Sequence, residues 1–483
     1  MENLRKLLSM AGIVALVGYF AHHGGIATSL QQVITLCSFF AVICTTLFFW
    51  NYRVAAAFLG VVLLVGSRAM TFGGIIEAME MNIILFLVGM MIIVGALKDL
   101  GFLTWIIQCI ISRKRMNGVS FTIILGLLSA LLSSVVDEVS SIVVVLALVF
   151  QVCETLKVRA HPFVLIAVLC TNIGSASTML GNPVGIFIGS KAGFTFNQFL
   201  VGAAPVALVS LLATLVVVIF WFRKDIAEMT ARMVEQRTSQ RALGPTEEIP
   251  HRAGLAVLVA TVVLIAFHHQ IEATLCLNTL SGNHNAFLYM TPLIMAGILM
   301  IAKPERAKHY VEHEVEWWTL LFFMLLFAIS GALGLVGKTT SPDGVVTGAS
   351  ITDNLATVLT KSISGGPKEM IPFVVFISAI GSAFVDNIVF VAAFTPVIKS
   401  LLVQGDGYSI LWWALLFGAC FGGNITAVGS TANIVALGLL EKHGFAHVKF
   451  LDWLKIGAIV GLLTALIAWA MLYFFGAPMP PAA

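Results

Sequence analysis

Two stretches place acids inside otherwise apolar sequence. The first is Ser133-Ser134-Val135-Val136-Asp137-Glu138, followed by Val139-Ser140-Ser141. The second is Ser382-Ala383-Phe384-Val385-Asp386-Asn387. A carboxylate at membrane depth costs roughly 2.5–3.5 kcal/mol on insertion scales, so such residues are expected to face a cavity, an ion or a partner. The competing reading has the acids at the water interface, capping helix starts. Recurrence of the same Asp in the same motif weighs against it.

A second pair of motifs is rich in hard oxygen ligands. Thr171-Asn172-Ile173-Gly174-Ser175-Ala176-Ser177-Thr178-Met179-Leu180-Gly181-Asn182-Pro183 has a counterpart in Gly422-Gly423-Asn424-Ile425-Thr426-Ala427-Val428-Gly429-Ser430-Thr431-Ala432-Asn433. Glycines let the backbone leave the helix, and Pro183 removes an amide donor. Freed carbonyls and the Ser, Thr and Asn oxygens suit Na⁺ or another hard cation. The helix restarts that follow present amides to an anion. Packing of small residues between helices is the plainer account; duplication of the pattern behind both acidic motifs favours the site.

The elements that position these residues must lie in lipid. Of 483 residues, 59% are hydrophobic and 11% charged, with a mean hydropathy of +1.00. A soluble chain carries about a quarter charged residues. Apolar runs able to enter or cross a bilayer recur throughout, and the segment Leu7 to Phe20 reads as a first membrane helix rather than a cleaved signal. The net charge of +3 gives nucleic-acid binding no support. Seven cysteines without a CxxC read as small apolar side chains, not as a disulfide framework or zinc site.

The blocks repeat. Glu80 to Leu97 parallels Glu316 to Leu333; Asp386 follows Asp137 by 249 residues; Gly429 follows Gly181 by 248. Three blocks in one order, with the Asp, Thr and Gly positions aligned, predict an all-α polytopic membrane protein with two inverted repeats. Each repeat has a re-entrant hairpin and a discontinuous transmembrane helix, with the site at the repeat interface. The divisions expected are N-terminal scaffold helices (1–81), a first repeat (82–222), a cytoplasmic linker (223–253), further scaffold helices (254–315) and a second repeat (316–483). Arg113-Lys114-Arg115, the basic residues between Arg223 and Arg241, and Lys303, Arg306 and Lys308 mark cytoplasmic loops. His22-His23, His268-His269, His309 and His313 read as interfacial, Trp317-Trp318 and Trp412-Trp413 as interface anchors, and Lys98-Asp99 as a local ion pair.

The second acidic motif, with Phe417-Gly418-Ala419-Cys420-Phe421-Gly422-Gly423-Asn424 and Gly429-Ser430-Thr431-Ala432-Asn433-Ile434, resembles the ion-transporter superfamily. That group holds the arsenical pumps, the NhaD-type sodium–proton antiporters, the melanosomal P-protein and the citrate and dicarboxylate transporters. Glu441-Lys442-His443-Gly444 is most similar to the P-protein group. The resemblance runs from about Asn82 to the end, apart from the middle linker. It implies a scaffold that is usually dimeric, hence a homodimer, and an elevator-like moving domain. Two departures matter. The first hairpin has Asp137-Glu138 where the superfamily usually has Asp-Asn. The first broken helix reads Gly181-Asn182-Pro183-Val184-Gly185 where Gly-x-Pro-x-Asn is usual. An extra ionisable group and one missing amide argue against a plain sodium site there and for one that binds protons.

The function expected is ion-coupled secondary transport of an inorganic ion, by sodium–proton antiport or by arsenite or antimonite efflux. No cofactor is expected beyond the coupling ion, H⁺ or Na⁺. Ion-binding residues are expected among Ser133, Ser134, Asp137, Glu138, Asn172, Ser175, Ser177, Thr178, Asn182, Ser382, Asp386, Asn387, Asn424, Thr426, Ser430, Thr431 and Asn433, with Glu138 as the proton carrier. Any metal is Na⁺ at these same residues. Cys170 and Cys420, near matched positions, suggest an arsenite thiol site only faintly. The alternatives are a sodium- or proton-coupled citrate or dicarboxylate transporter and, further off, an ion channel. The chain carries no P-loop, dinucleotide fingerprint or nucleophile–base pair, so it is not expected to be an enzyme, although a peripheral ATPase partner is compatible with it. The expected location is multi-pass in a prokaryotic cytoplasmic (inner) membrane.

Overall fold

The computed structural model describes residues 2–111, 116–238, 250–275, 285–340, 346–363, 366–445 and 448–477. Helices dominate, and the described strands are two-residue pieces, Thr339–Thr340 paired antiparallel with Val346–Thr347. Among the described residues nine helices are long and apolar enough to cross a bilayer. A tenth path is bent by 62° between Arg252–Ala266 and His268–Thr274. The protein is therefore a multi-pass integral membrane protein. With water absent from the bilayer core, closing each backbone hydrogen bond within its own segment is what makes helices the viable solution.

The chain forms two compact units. The first comprises Met1–Ile84, Glu316–Val374 and Ile388–Leu415. Its helices Leu30–Phe48, Arg53–Gly66 and Trp317–Leu335 pack together, close enough that a Cβ on Gly60 would meet Ile329 Cδ1 at 2.9 Å and push that side chain aside. Gln32 ties this bundle to the loops beyond it, donating to Ala349 O (2.8 Å) and Val336 O (3.2 Å). Buried Arg53 lies 3.9 Å from the Trp50 ring centroid and donates to Thr319 Oγ1.

The helix Ile351–Ser362 of this unit is fixed by Asp353. Its carboxylate accepts from Ser350 N–H (3.0 Å), Ser350 Oγ (2.7 Å) and Ser400 Oγ (2.7 Å), and pairs with Lys338 Nζ at 2.8 Å. Burial pushes the carboxyl up, but the hydrogen bonds from Lys338, Ser400 and Ser350 outweigh it and bring it down to about 2. A depressed carboxylate stabilises above its unfolded value of about 3.9 and loses that contribution as pH falls toward about 2. Asp353→Asn is expected to lower stability by about 1–2 kcal/mol at neutral pH. The difference from wild type should shrink in melts run between about pH 4 and pH 2; a constant difference would disprove this role.

The second unit comprises Leu85–Val315, Val375–Asn387 and Leu416–Ala483. It contains the first hairpin, Gly118–Val135 with Glu138–Leu156, and the first broken helix, His161–Gly174 restarting at Pro183–Ala192. It also holds the tip of the second hairpin, between Pro367–Phe384 and Asn387–Leu402. Most of the second broken helix belongs to it as well, from Leu411–Gly422 to its restart at Thr431–Lys442.

Several sequence expectations change. The segment after Trp221 is not simply a linker: Arg223–Thr238 is a helix whose Ile226, Met229 and Met233 are buried, and Thr230 Oγ1 accepts from Gly118 N–H at 2.9 Å. Lys98 and Asp99 do not pair with each other. Lys98 Nζ meets Glu314 at 2.6 Å, and Arg306 grips Asp99 with two bonds of 2.7 Å. Adjacent helical residues do not face each other. Trp317 and Trp318 are half exposed, as anchors should be, but Trp412 and Trp413 are fully buried, because the helix Leu411–Gly422 is apolar on every side. His268 is buried too, not interfacial. Arg113-Lys114-Arg115, Arg241 and Cys276 lie outside the described residues.

Candidate functional site

Each hairpin is clamped to a broken helix by the same bonds. In the first repeat Ser133 Oγ donates to Thr171 O (2.9 Å); in the second, Ser382 Oγ donates to Ala419 O (2.8 Å). Thr178 Oγ1 donates to Ser134 O, and Thr426 Oγ1 to Ala383 O. A Cβ on Gly174 would overlap the Ala130 backbone, and one on Gly422 the Ala379 backbone. Only glycine permits this approach, and the Ser and Thr bonds satisfy carbonyls that the break leaves open.

The breaks are built from local chemistry. After Gly174 the chain makes one tight turn, Ser175–Ser177, and becomes extended at Thr178. Asn182 caps the restart, accepting from Gly185 N–H at 2.8 Å, with Pro183 in the first turn, where a missing N–H costs nothing. In the second repeat Ser430 takes the cap position, accepting from Ala432 N–H at 3.2 Å. Ser177 Oγ and Ser134 Oγ bond back to their own helices, to Gly174 O and Leu131 O.

The two repeats meet through carboxamides. Asn172 Nδ2 donates to Asn424 Oδ1 (2.8 Å) and Asn433 Oδ1 (2.9 Å), and Asn172 Oδ1 accepts from Ser430 Oγ at 3.2 Å. Asn182 Nδ2 lies 2.8 Å from Ser175 Oγ and 3.2 Å from Cys420 Sγ. In the alignment of the repeats Asn182 matches Ser430, and Asn172 matches Cys420. Asn182 to Cys420 and Ser430 to Asn172 are therefore one contact made twice with the partners exchanged, as a two-fold axis requires. The repeats are related by a two-fold rotation.

At the tips the symmetry breaks. Asp137 caps the helix Glu138–Leu156, its Oδ1 accepting from Val139 N–H (2.8 Å) and Ser140 N–H (2.9 Å). The capping role weighed against it in the sequence is real, and it holds at a half-buried tip. Asp386 instead accepts from Thr431 Oγ1, a donor that the matching Pro183 cannot supply. Glu138 is 6% exposed and accepts from Ser175 Oγ at 3.2 Å. It makes no ion pair among the described residues, and both Asp137 and Asp386 stand within electrostatic range of it. Its match in the second repeat, Asn387, packs against Gly423, where a side chain like Ser175 would collide. With its nitrogen facing the carbonyls, the Asn387 amide donates to Gly429 O (2.9 Å) and Ala419 O (3.2 Å).

All the expected site residues thus fall in one unit, yet they do different things. Asp137, Glu138, Asp386, Ser175 and Thr431 gather at the tips. Asn172, Asn182, Asn424, Asn433 and Ser430 join the repeats, while Ser133, Thr178, Ser382 and Thr426 hold hairpins to helices. The sequence reading missed Trp453, fully buried, whose Nε1 donates to Asn424 O at 3.1 Å and props the second break. Its position in a long apolar helix with Gly457 and Gly461 close behind is the available signal, since both glycines leave room for that same break.

A helical membrane protein with paired hairpins, paired broken helices and carboxylates at their tips is a membrane transporter. The chain belongs to the citrate transporter family, whose model matches residues 45–418 and 344–481. An uncharacterized transporter of Mycobacterium tuberculosis is 31% identical over 82% of this chain and 88% of its own length. The P protein of Homo sapiens is 27% identical over 79% of this chain, which spans about half of that relative (52%). Among solved structures the YdaH transporter of Alcanivorax borkumensis shares the fold, with a TM-score of 0.52 at 14% identity, over 86% of this chain and 90% of that one. The family model and the M. tuberculosis relative are described as transporters, and the chain is a transporter rather than an enzyme.

Proposed function

We propose that this transporter exchanges a small inorganic cation, sodium first among those to test, against protons. Asp137 and Asp386 bind the cation and Glu138 carries the proton. One observation carries the reading: Glu138 is buried beside two other carboxylates and without an ion pair among the described residues. Three such groups cannot stay charged together at low dielectric; a proton or a bound cation must offset them. Alternating occupancy by the two is antiport. The membership of both tips and both breaks in one unit supports carriage of the site as a body, in an elevator-like movement. The bacterial relatives support a prokaryotic cytoplasmic membrane.

A second reading, sodium- or proton-coupled uptake of citrate or a dicarboxylate, is favoured by the description of the family model. It meets an obstacle in the three carboxylates, which repel an anion unless cations or protons accompany it. Arsenite or antimonite efflux ranks lower. Cys170 and Cys420 are buried, and the Cys420 thiol is already engaged by Asn182. The test is the purified protein in liposomes with an internal pH dye, challenged with Na⁺, Li⁺, K⁺, arsenite and citrate. Proton movement on addition of Na⁺ or Li⁺ is expected. A dye response to citrate alone would overturn the antiport reading in favour of the second.

A further inference from the structure

Within the first unit, a cavity of about 440 Å³ lies between the first helix, Glu2–His23, the helix Leu30–Phe48 and the start of Ile351–Ser362. Its lining is apolar, with Leu36 and Ile351 at the floor and Ile13, Leu16, Phe20 and Ala21 along one wall. Ala21, Leu36 and Ile351 are buried, whereas Ile13, Leu16 and Phe20 are exposed on the outer surface. The cavity is therefore closed behind and open sideways, toward the lipid around the first helix.

One end is shut by the loop after His23. Ile26 O accepts there from Asn354 Nδ2 at 3.0 Å, and Ala27 O lies 3.1 Å from His22 Nδ1, so these two carbonyls need nothing from an occupant. Tyr19 and His23 are exposed at the same end, with ring centroids 4.2 Å apart. Amphipathic rings of this kind stand at the level of lipid headgroups. From Ala21 to Ile13 the wall spans about 12 Å, at 1.5 Å per helical residue. That is most of the depth of one leaflet, whose hydrocarbon is about 15 Å thick.

These dimensions and this lining select the occupant. Water is excluded, because it needs polar partners that the walls do not offer. A helix from a second copy is too large: about 12 Å of helix, 10 Å across, fills roughly 900 Å³. Hydrocarbon fits. An apolar cavity of about 150 Å³ already takes up benzene; this one is about three times larger, runs along the first helix and opens onto lipid. We infer that it holds one acyl chain of a bilayer phospholipid, with the headgroup at the level of Tyr19 and His23. The lipid wedges the first helix against Leu30–Phe48 and Ile351–Ser362, and so is a structural part of the first unit.

The test uses the full-length protein purified in a mild detergent and examined by native mass spectrometry, then stripped of lipid and supplied with palmitoyl-oleoyl phosphatidylcholine. About one phospholipid per protein should survive purification, and the added lipid should raise the melting midpoint of the stripped protein. A phosphatidylcholine with a diazirine at mid-chain should label the peptides that hold Leu36 and Ile351, which bulk lipid does not reach. Val17→Phe/Ala21→Leu fills the cavity from its own wall. It should abolish the retained lipid, the label and the rise in midpoint. Val62→Phe, at an exposed site on the helix Arg53–Gly66, should change none of them. Wild-type protein that retains no phospholipid and gains no stability from it would overturn the inference, even if the filled variant could not be purified. So would retention that filling leaves unchanged. Disulfides between two copies of Leu16→Cys, in protein that shows no label at Leu36, would also overturn it and place a second copy over the cavity.

Discussion

In liposomes, Glu138→Asn is expected to abolish the dependence of transport on pH while leaving cation binding in place. The substitution recreates in the first hairpin the Asp-Asn pair that Asp386 and Asn387 form in the second. It removes the one carboxyl that neither caps a helix nor accepts from Thr431, and so removes the group proposed to carry the proton. Proton-coupled flux should fall to the level of empty liposomes, whereas exchange of labelled cation for unlabelled cation should persist. Asp386→Asn should behave in the opposite way. It deletes the charge that the cation meets, and an interaction with an ionised group is worth roughly 1.5–3 kcal/mol, or about 10–150-fold in affinity. Binding should weaken by that factor whatever the pH. Transport rate against pH, and labelled-cation binding at fixed pH, separate the two. An unchanged pH profile in Glu138→Asn would leave Glu138 as a first-turn acid at the helix start and remove it from coupling. The citrate reading would then have to account for the tip without it.

The carboxylates were legible in the sequence because polarity within apolar runs is conspicuous and was repeated. So was the fold, since the spacing of Asp137 to Asp386 and of Gly181 to Gly429 records the duplication directly. What the sequence does not reveal is where each oxygen's lone pairs are spent. Ser133, Thr178, Ser382 and Thr426 are of the right type for ion ligands, yet each hydroxyl is directed at a neighbouring carbonyl. Donor direction depends on which backbone lies opposite, and the opposing backbone comes from another helix tens of residues away. Long-range pairing defeats local reading in the same manner at Lys98 and Asp99, whose partners Glu314 and Arg306 lie more than 200 positions downstream. His268 and Trp412-Trp413 fail for a related reason. A polar or amphipathic side chain near a helix end suggests an interface, but burial is decided by the helices packed around that end.

The exchange of partners between Asn182–Cys420 and Ser430–Asn172 also shows how the duplication has diverged. Both sides keep the contact, but one side pairs an amide with a thiol and the other a hydroxyl with a carboxamide. Divergence is larger at the tips, where Glu138 faces Ser175 while Asn387 faces Gly423. Thus the symmetric bonds hold hairpins to broken helices and repeat to repeat, while the asymmetric positions are those to which the proposed proton and cation roles are assigned.

Asn172→Ala is expected to be the most destabilising single substitution at the repeat interface, and far more so than Cys420→Ala at the matching position. The Asn172 amide uses both protons, on Asn424 and Asn433, and its oxygen accepts from Ser430. All four residues are buried. Truncation strands two acceptors and one donor at once. Each buried group left unpaired costs about 1–3 kcal/mol, so the loss should reach about 3–6 kcal/mol even where Asn433 keeps its bonds to Gly423 O and Thr426 O. Cys420→Ala strands nothing comparable, because Asn182 retains Ser175 as a partner and a thiol is a weak acceptor. Its cost should be about 1 kcal/mol, chiefly from the small void. Asn172→Asp tests the same lock by charge rather than by size. A carboxylate there would point an acceptor at the carboxamide oxygens of Asn424 and Asn433, and it should be at least as damaging as alanine. Thermal melting of the three variants in one detergent, followed by tryptophan fluorescence, gives the ranking. Equal midpoints for Asn172→Ala and Cys420→Ala would mean that the repeats are held together by apolar packing, with the carboxamides contributing little.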